Sequence, residues 1–85
     1  MRAKDAILVL VSERGPGKTC CPSEVARRLS GPGDEWRDYM TVVHDAANNL
    51  QATGAIALSW KGEPRSVSDG PYRIGLPPFP MNDDL

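Results

Sequence analysis

The order of apolar and polar positions predicts three helices in the first 54 residues of the chain. The first covers residues 3–14, where apolar side chains share one helical face and a Gly-Pro-Gly sequence ends the segment. The second begins at Pro22, a residue suited to the first helical position, and ends at the next Gly-Pro-Gly sequence. The third covers residues 34–53 and has the clearest helical spacing. Its apolar face consists of Trp36, Met40, Val43, Ala47 and Leu50.

Two segments with alternating apolar positions follow and predict a β-hairpin, residues 55–60 and residues 72–76. The connection, residues 61–71, is rich in Gly, Pro and Ser and too long for a tight turn, so we predict a flexible projecting loop. We predict that the Pro-rich tail, residues 77–85, is extended or disordered.

Three helices followed by a two-stranded wing is the order of a winged helix. We therefore predict an α+β winged-helix domain over residues 1–76. A short strand at Thr19 and Cys20 has the position needed to pair with the hairpin. Trp36 and Trp60 fall within the apolar patterns of helix and hairpin, so we expect both in the core rather than on a base-stacking surface.

Composition narrows the class of protein. The chain has 85 residues, of which 40% are hydrophobic, which suits one small domain. It has neither a membrane-length apolar run nor a small-residue cleavage site after its apolar N-terminal stretch, so we expect a soluble cytoplasmic protein without a membrane partner. The adjacent Cys20 and Cys21 cannot join distant segments and are too few for structural zinc, so we expect Cys20 in the core and Cys21 at a helix cap, with no metal.

A partial P-loop match and a histidine are the two features that could indicate nucleotide binding or catalysis, and neither is sufficient evidence for that function. Gly17, Lys18 and Thr19 match the end of a phosphate-binding P-loop, but Ser12 replaces the required first glycine and Pro22 would lie inside the required helix. We interpret the segment as a glycine-rich turn between helix and strand. His44 lacks a recognisable orienting carboxylate and nucleophile, so we expect a partly buried structural histidine. We therefore predict no enzymatic activity and no cofactor.

The motifs "RGPGKTCCPSEVARRL" and "WRDYM", the spacing of later apolar residues, and Gly70-Pro71 before "YRI" resemble a bacterial family of small proteins labelled domain of unknown function 3253. The resemblance spans residues 6–76 and implies a winged-helix-like fold, but no activity, substrate or catalytic residue. Two departures weaken any implied basic surface: His44 stands where such proteins often carry arginine, and the long loop is not the usual one.

A winged helix implies recognition of nucleic acid through its third helix. Residues 34–54, however, carry a net charge of −3, against +3 for residues 1–33, and an acidic helix is repelled by phosphates unless flanking cations outweigh it. We therefore keep two hypotheses, a nucleic-acid binder, slightly preferred, and a protein-interaction module, with oligomeric state open. The candidate nucleic-acid contacts are Lys18, Arg27, Arg28, Arg37, Thr41, Asn48, Lys61 and Arg65.

Overall fold

Helices and a small antiparallel sheet make up the fold in a computed structural model, which describes residues 2–33 and 35–77. In chain order the elements are α1 (Ala3–Arg14), β1 (Thr19–Cys20), α2 (Pro22–Ser30), a first 3₁₀ helix (Glu35–Tyr39), α3 (Met40–Ala52), β2 (Ala57–Trp60), β3 (Glu63–Pro64), a second 3₁₀ helix (Val67–Asp69) and β4 (Arg73–Gly75). The α+β prediction is confirmed, and the arrangement is compatible with a winged-helix-like fold. The predicted tail lies almost entirely outside the described residues.

One hydrophobic cluster unites the helices and the sheet. The apolar faces of α1, α2 and α3 pack together and are removed from water. The buried side chains of β2 and β4 pack against them in the same cluster. Cys20 is fully buried in it, as predicted. The buried residues are Ala6, Ile7, Leu10, Val11, Cys20, Val25, Ala26, Val43, Ala46, Ala47, Leu50, Ile56, Leu58, Tyr72 and Ile74.

The sheet has the strand order β1-β4-β2-β3, and each neighbouring pair is antiparallel. β4 lies between β1 and β2, so the predicted hairpin and the predicted short strand at Thr19 and Cys20 are both confirmed. We call residues 57–75, from β2 through β4, the wing. Within residues 2–33 and 35–77, no helix has the length and apolar character needed to cross a membrane.

Residues 61–71, for which the sequence predicts only a flexible projecting loop, contain two regular elements. Lys61 and Gly62 form a two-residue turn, after which β3 pairs with β2 and a 3₁₀ helix follows. The backbone N–H of Arg65 donates to the carbonyl of Leu58 at 3.0 Å, and Gln51 on α3 donates to the carbonyl of Arg65 at 2.8 Å. These two hydrogen bonds connect the segment to β2 and α3, which composition alone does not reveal.

The third predicted helix is divided. Residues Glu35–Tyr39 form a 3₁₀ helix that packs mainly on α2, and the α-helix begins only at Met40. The 3₁₀ helix leads directly into α3, and its Trp36 is partly buried against the core. Position 34 lies outside the described residues.

Trp60 also departs from expectation. Its side chain is half-buried, and among the described residues it is not part of the core cluster. It ends β2 and pairs with Glu63 next to the turn. Trp60 therefore lies beyond the buried positions Leu58 and Ser59 of the same strand.

A carboxylate at the start of α2 joins three elements. Glu24 accepts a hydrogen bond from the backbone N–H of Cys21 at 2.9 Å and pairs with Arg14 at the end of α1. Arg14 also donates to the carbonyl of Thr19 at 3.0 Å, and Arg73 on β4 donates to the Thr19 hydroxyl at 2.8 Å. The end of α1, strand β1 and the start of α2 are thereby held together, with Cys21 as the predicted helix cap.

We expect Glu24→Ala to lower the free energy of unfolding by about 1–2 kcal/mol, because it removes both a cap hydrogen bond and an ion pair that is one-third exposed and therefore partly screened. Urea denaturation measures this change. The control is Glu13→Ala, which removes the more exposed pair with Arg28 and should cost clearly less. Equal losses in the two variants would contradict the role assigned to Glu24.

The stabilisation that Glu24 provides should depend on pH. Partial burial acts to raise the pKa of Glu24, but the hydrogen bond from Cys21 and the charge of Arg14 outweigh it and hold the pKa below its usual range. The stabilisation is therefore present above the unfolded carboxyl pKa of about 4.3 and is lost as pH falls through the folded-state value. The difference between the native protein and Glu24→Ala should shrink accordingly on acidification.

Candidate nucleic-acid interface

Two arginines flank one tryptophan where α2 meets the first 3₁₀ helix. The guanidinium carbons of Arg27 and Arg37 each lie 4.7 Å from the centre of the Trp36 ring, a cation–π distance. Both arginines are exposed, whereas Trp36 is half-buried and packs against the core. We call these three residues the arginine–tryptophan cluster. It fixes two positive charges next to the N-terminal end of α3.

The other predicted cations differ in how firmly they are held. Arg28 forms an ion pair with Glu13 across α1 and α2, at 3.0 Å. The guanidinium of Arg65 donates to the carbonyl of Asp69 at 3.1 Å, inside the wing. Lys18 is exposed and precedes β1. Within residues 2–33 and 35–77, Arg27 and Arg37 have no carboxylate at ion-pair distance, unlike Arg28.

The exposed side of α3 carries the two predicted polar contacts. Thr41 and Asn48 are both exposed there, seven residues apart and therefore nearly in line along the helix. Asp45 is exposed between them. The side chain of Val42 adds an apolar position that is 47% exposed. Hydrogen-bonding groups are thus interrupted by a negative charge and a hydrophobic group.

Lys61 occupies the tip of the β2–β3 turn. Its φ is 52° and that of Gly62 is 83°, the positive values that a two-residue hairpin turn of type I′ requires at both central positions. Among the described residues, Lys61 is the only one other than glycine with positive φ. The turn projects an exposed cation, at a cost in backbone strain.

The P-loop resemblance disappears in three dimensions. Residues 15–18 form a turn in which the N–H of Lys18 donates to the carbonyl of Gly15, at 3.3 Å. Strand β1 then follows, where a P-loop requires a helix. The interpretation as a glycine-rich turn between helix and strand is confirmed. In the described part of the chain, no three His, Cys, Asp or Glu side chains are grouped to hold a metal ion.

His44 is partly buried, as expected, and has a partner that the sequence does not indicate. Its Nδ1 lies 2.6 Å from the hydroxyl of Tyr72, and the two rings meet edge to face with centres 5.6 Å apart. Burial raises the pKa of Tyr72 to about 12, so the phenol stays protonated at neutral pH. The pair connects α3 to the residue that precedes β4.

Sequence reasoning missed the arginine–tryptophan cluster because it assigned Trp36 only to the core. Arg27 and Arg37 are ten residues apart, and the turn after α2 brings them to the same ring. Arg37 is next to Trp36 in sequence, which is a weak local signal. No helical spacing relates Trp36 to Arg27, because they lie on different elements.

We expect Lys61→Asn to raise the free energy of unfolding by about 0.5–1 kcal/mol, because asparagine tolerates positive φ better than lysine does. The control is Lys4→Asn, which changes an exposed lysine to the same residue within α1. That change should be destabilising, since asparagine is a poorer helix former. Thermal and urea denaturation measure both. A loss of stability in Lys61→Asn would contradict this assignment of strain.

The two cysteines should differ in reactivity. Burial raises the pKa of the Cys20 thiol to about 11, and the side chain is fully buried, whereas Cys21 is partly exposed. We expect an aromatic disulfide reagent to modify one thiol in the folded protein and the second only on unfolding. Cys21→Ser should abolish the fast reaction and Cys20→Ala should retain it. Equal rates for both thiols in the folded protein would contradict this difference.

Comparison with known proteins agrees with the motifs. A family model described as a protein of unknown function, DUF3253, matches residues 1–77, nearly the whole chain. This match confirms the resemblance inferred from the sequence. No curated protein matches the chain.

Proposed function

We propose that this chain, which belongs to the DUF3253 family of proteins of unknown function, is a non-enzymatic winged-helix recognition module that binds nucleic acid. The observation that supports the proposal most strongly is the arginine–tryptophan cluster. Two exposed guanidinium groups share one anchored indole there, beside the start of α3. Exposed positive charge held beside α3 suits contact with backbone phosphates.

Preorganisation is the physical reason that this cluster favours phosphate. A guanidinium presents a planar set of N–H donors that matches phosphate oxygens and stacks on aromatic rings at the same time. Arg27 and Arg37 are already stacked on Trp36, so binding immobilises little further side-chain freedom. Arg28 instead has to leave Glu13 before it can bind phosphate in the same way.

Helix α3 and the wing supply the remaining contacts in this proposal. Thr41 and Asn48 offer hydrogen bonds to base edges or phosphates, and Lys61 at the wing tip offers a further phosphate contact. Asp38 and Asp45 oppose close approach of α3 to a polyanion. We therefore expect phosphate contacts to supply most of the affinity, with strong salt dependence and weak sequence discrimination.

Fluorescence anisotropy with labelled, mixed-sequence duplex and single-stranded DNA, over a series of salt concentrations, tests the proposal. Replacing both Arg27 and Arg37 by Gln should weaken binding and reduce the slope of log affinity against log salt by about 2. Replacing Arg2 and Lys4 by Gln is the charge-matched control, since both are exposed and lie outside the proposed interface. An equal effect of the two double variants would contradict the assigned contacts.

The exposed side of α3 gives specific support to a second candidate, binding of a basic protein segment. The side chains of Tyr39 and Val42, three residues apart, are 37% and 47% exposed, and Asp38 and Asp45 flank them. An acidic surface with an apolar centre suits a partner rich in Lys or Arg. If neither DNA binds even at low salt, DNA binding is excluded and this second candidate becomes the first choice.

A further inference from the structure

A cavity of about 610 Å³ lies between α2, α3 and the wing, and Arg27, Trp36 and Arg37 are not among the residues that line it. The start of α2 forms one wall, the first two turns of α3 form the second, and the wing forms the third. The side chains that matter for its chemistry are Cys21, Ser23, Met40, His44, Trp60 and Tyr72. Cavities of this volume hold small molecules, and they usually combine an apolar wall with a few polar groups.

The cavity wall carries no formal charge from carboxylate, ammonium or guanidinium groups. Among the described residues that line it, none is Asp, Glu, Lys or Arg, although such residues make up 25% of the chain. A charged molecule entering this space would lose water without gaining an opposite charge. The side chains of the wall therefore supply no counter-charge for an anion or a cation of the same shape.

Aromatic and sulfur-containing side chains dominate the apolar part of the wall. Trp60 and Tyr72 come from the wing, and Met40 comes from the first turn of α3. Rings and thioethers pack well against an aromatic ligand, through edge and face contacts that a saturated ring does not reproduce. This also gives a reason for the half-buried position of Trp60 outside the core.

The polar groups of the wall are largely paired with one another. His44 Nδ1 is within 2.6 Å of the Tyr72 hydroxyl, and Cys21 Sγ lies 3.1 Å from Ser23 Oγ. With the Tyr72 hydroxyl as donor to Nδ1, the matching tautomer of His44 carries its proton on Nε2, and this N–H needs a hydrogen-bond acceptor. A carbonyl-type oxygen on the ligand meets that need.

From these observations, we propose that the cavity is a binding site for a small, neutral aromatic molecule that bears a hydrogen-bond acceptor. The proposal goes beyond nucleic-acid recognition and does not depend on it, since no residue of the arginine–tryptophan cluster lines the cavity. The uncharged, aromatic wall and the His44–Tyr72 pair carry it.

Titration of the isotopically labelled full chain with four probes, followed by amide and indole NMR shifts, tests this site. Benzamide is the neutral aromatic probe, benzoate and benzylamine are its charged counterparts, and cyclohexanecarboxamide is its saturated counterpart. We expect saturable benzamide shifts at Met40, His44 and Trp60, with Trp36 as an unshifted internal control. Both charged probes should bind at least roughly tenfold more weakly, and the saturated amide also more weakly.

Two cavity-filling variants complete the test, one from each side of the cavity. Val67→Trp fills it from the wing and Ser23→Phe fills it from α2, and each should weaken benzamide binding at least roughly tenfold. A variant is scored only if its amide spectrum shows the native fold. The native-protein titration is decisive if neither variant folds. The absence of saturable shifts, equal binding of the charged probes, or benzamide binding that persists in a folded variant would overturn the proposal.

Discussion

A polar junction sets how the N-terminal elements of the fold meet. In a domain this small the buried cluster stabilises helices and sheet against the unfolded chain, but apolar contacts are not directional. Direction comes from Glu24, which caps α2 through the Cys21 N–H and binds Arg14 at the end of α1. Arg14 in turn donates a hydrogen bond to the Thr19 carbonyl, and Arg73 donates one to the Thr19 hydroxyl. The Gly-Pro-Gly turn therefore leads into β1 at the edge of the sheet, with α2 starting directly after it.

That junction and a second ion pair together account for three of the arginines of the helices and sheet. Arg14 and Arg73 are committed to Thr19, and Arg28 is committed to Glu13. Arg27 is one residue from Arg28 but faces Trp36, where it keeps its charge exposed without a carboxylate among the described residues. A near-neutral chain can thus present local positive charge. Net charge is a poor guide here, because pairing within the fold decides which charges a ligand meets.

Local patterns predict the elements of this fold well and their junctions poorly. The bounds of α1 and the start of α2 follow from periodicity, proline and glycine, all of which act over a few residues. The wing departs from prediction because the strand pairing of Glu63 and Pro64 depends on β2, and composition indicates only a loop. The arginine–tryptophan cluster was missed for the same reason, because it depends on contacts between elements. The apolar pattern places Trp36 in the core. Its contact with Arg27 depends on the turn that brings α2 next to the 3₁₀ helix.

The two proposed sites are adjacent in sequence at the transition from the 3₁₀ helix to α3. Arg37 of the arginine–tryptophan cluster is three residues before Met40, which begins α3 and lines the cavity. The wing is shared too, because Lys61 at its tip directly follows Trp60 in the cavity wall. A cavity ligand can alter nucleic-acid binding only if α3 or the wing has two arrangements and the ligand binds them with different affinity. By reciprocity, nucleic acid must then alter the affinity of the cavity by the same factor.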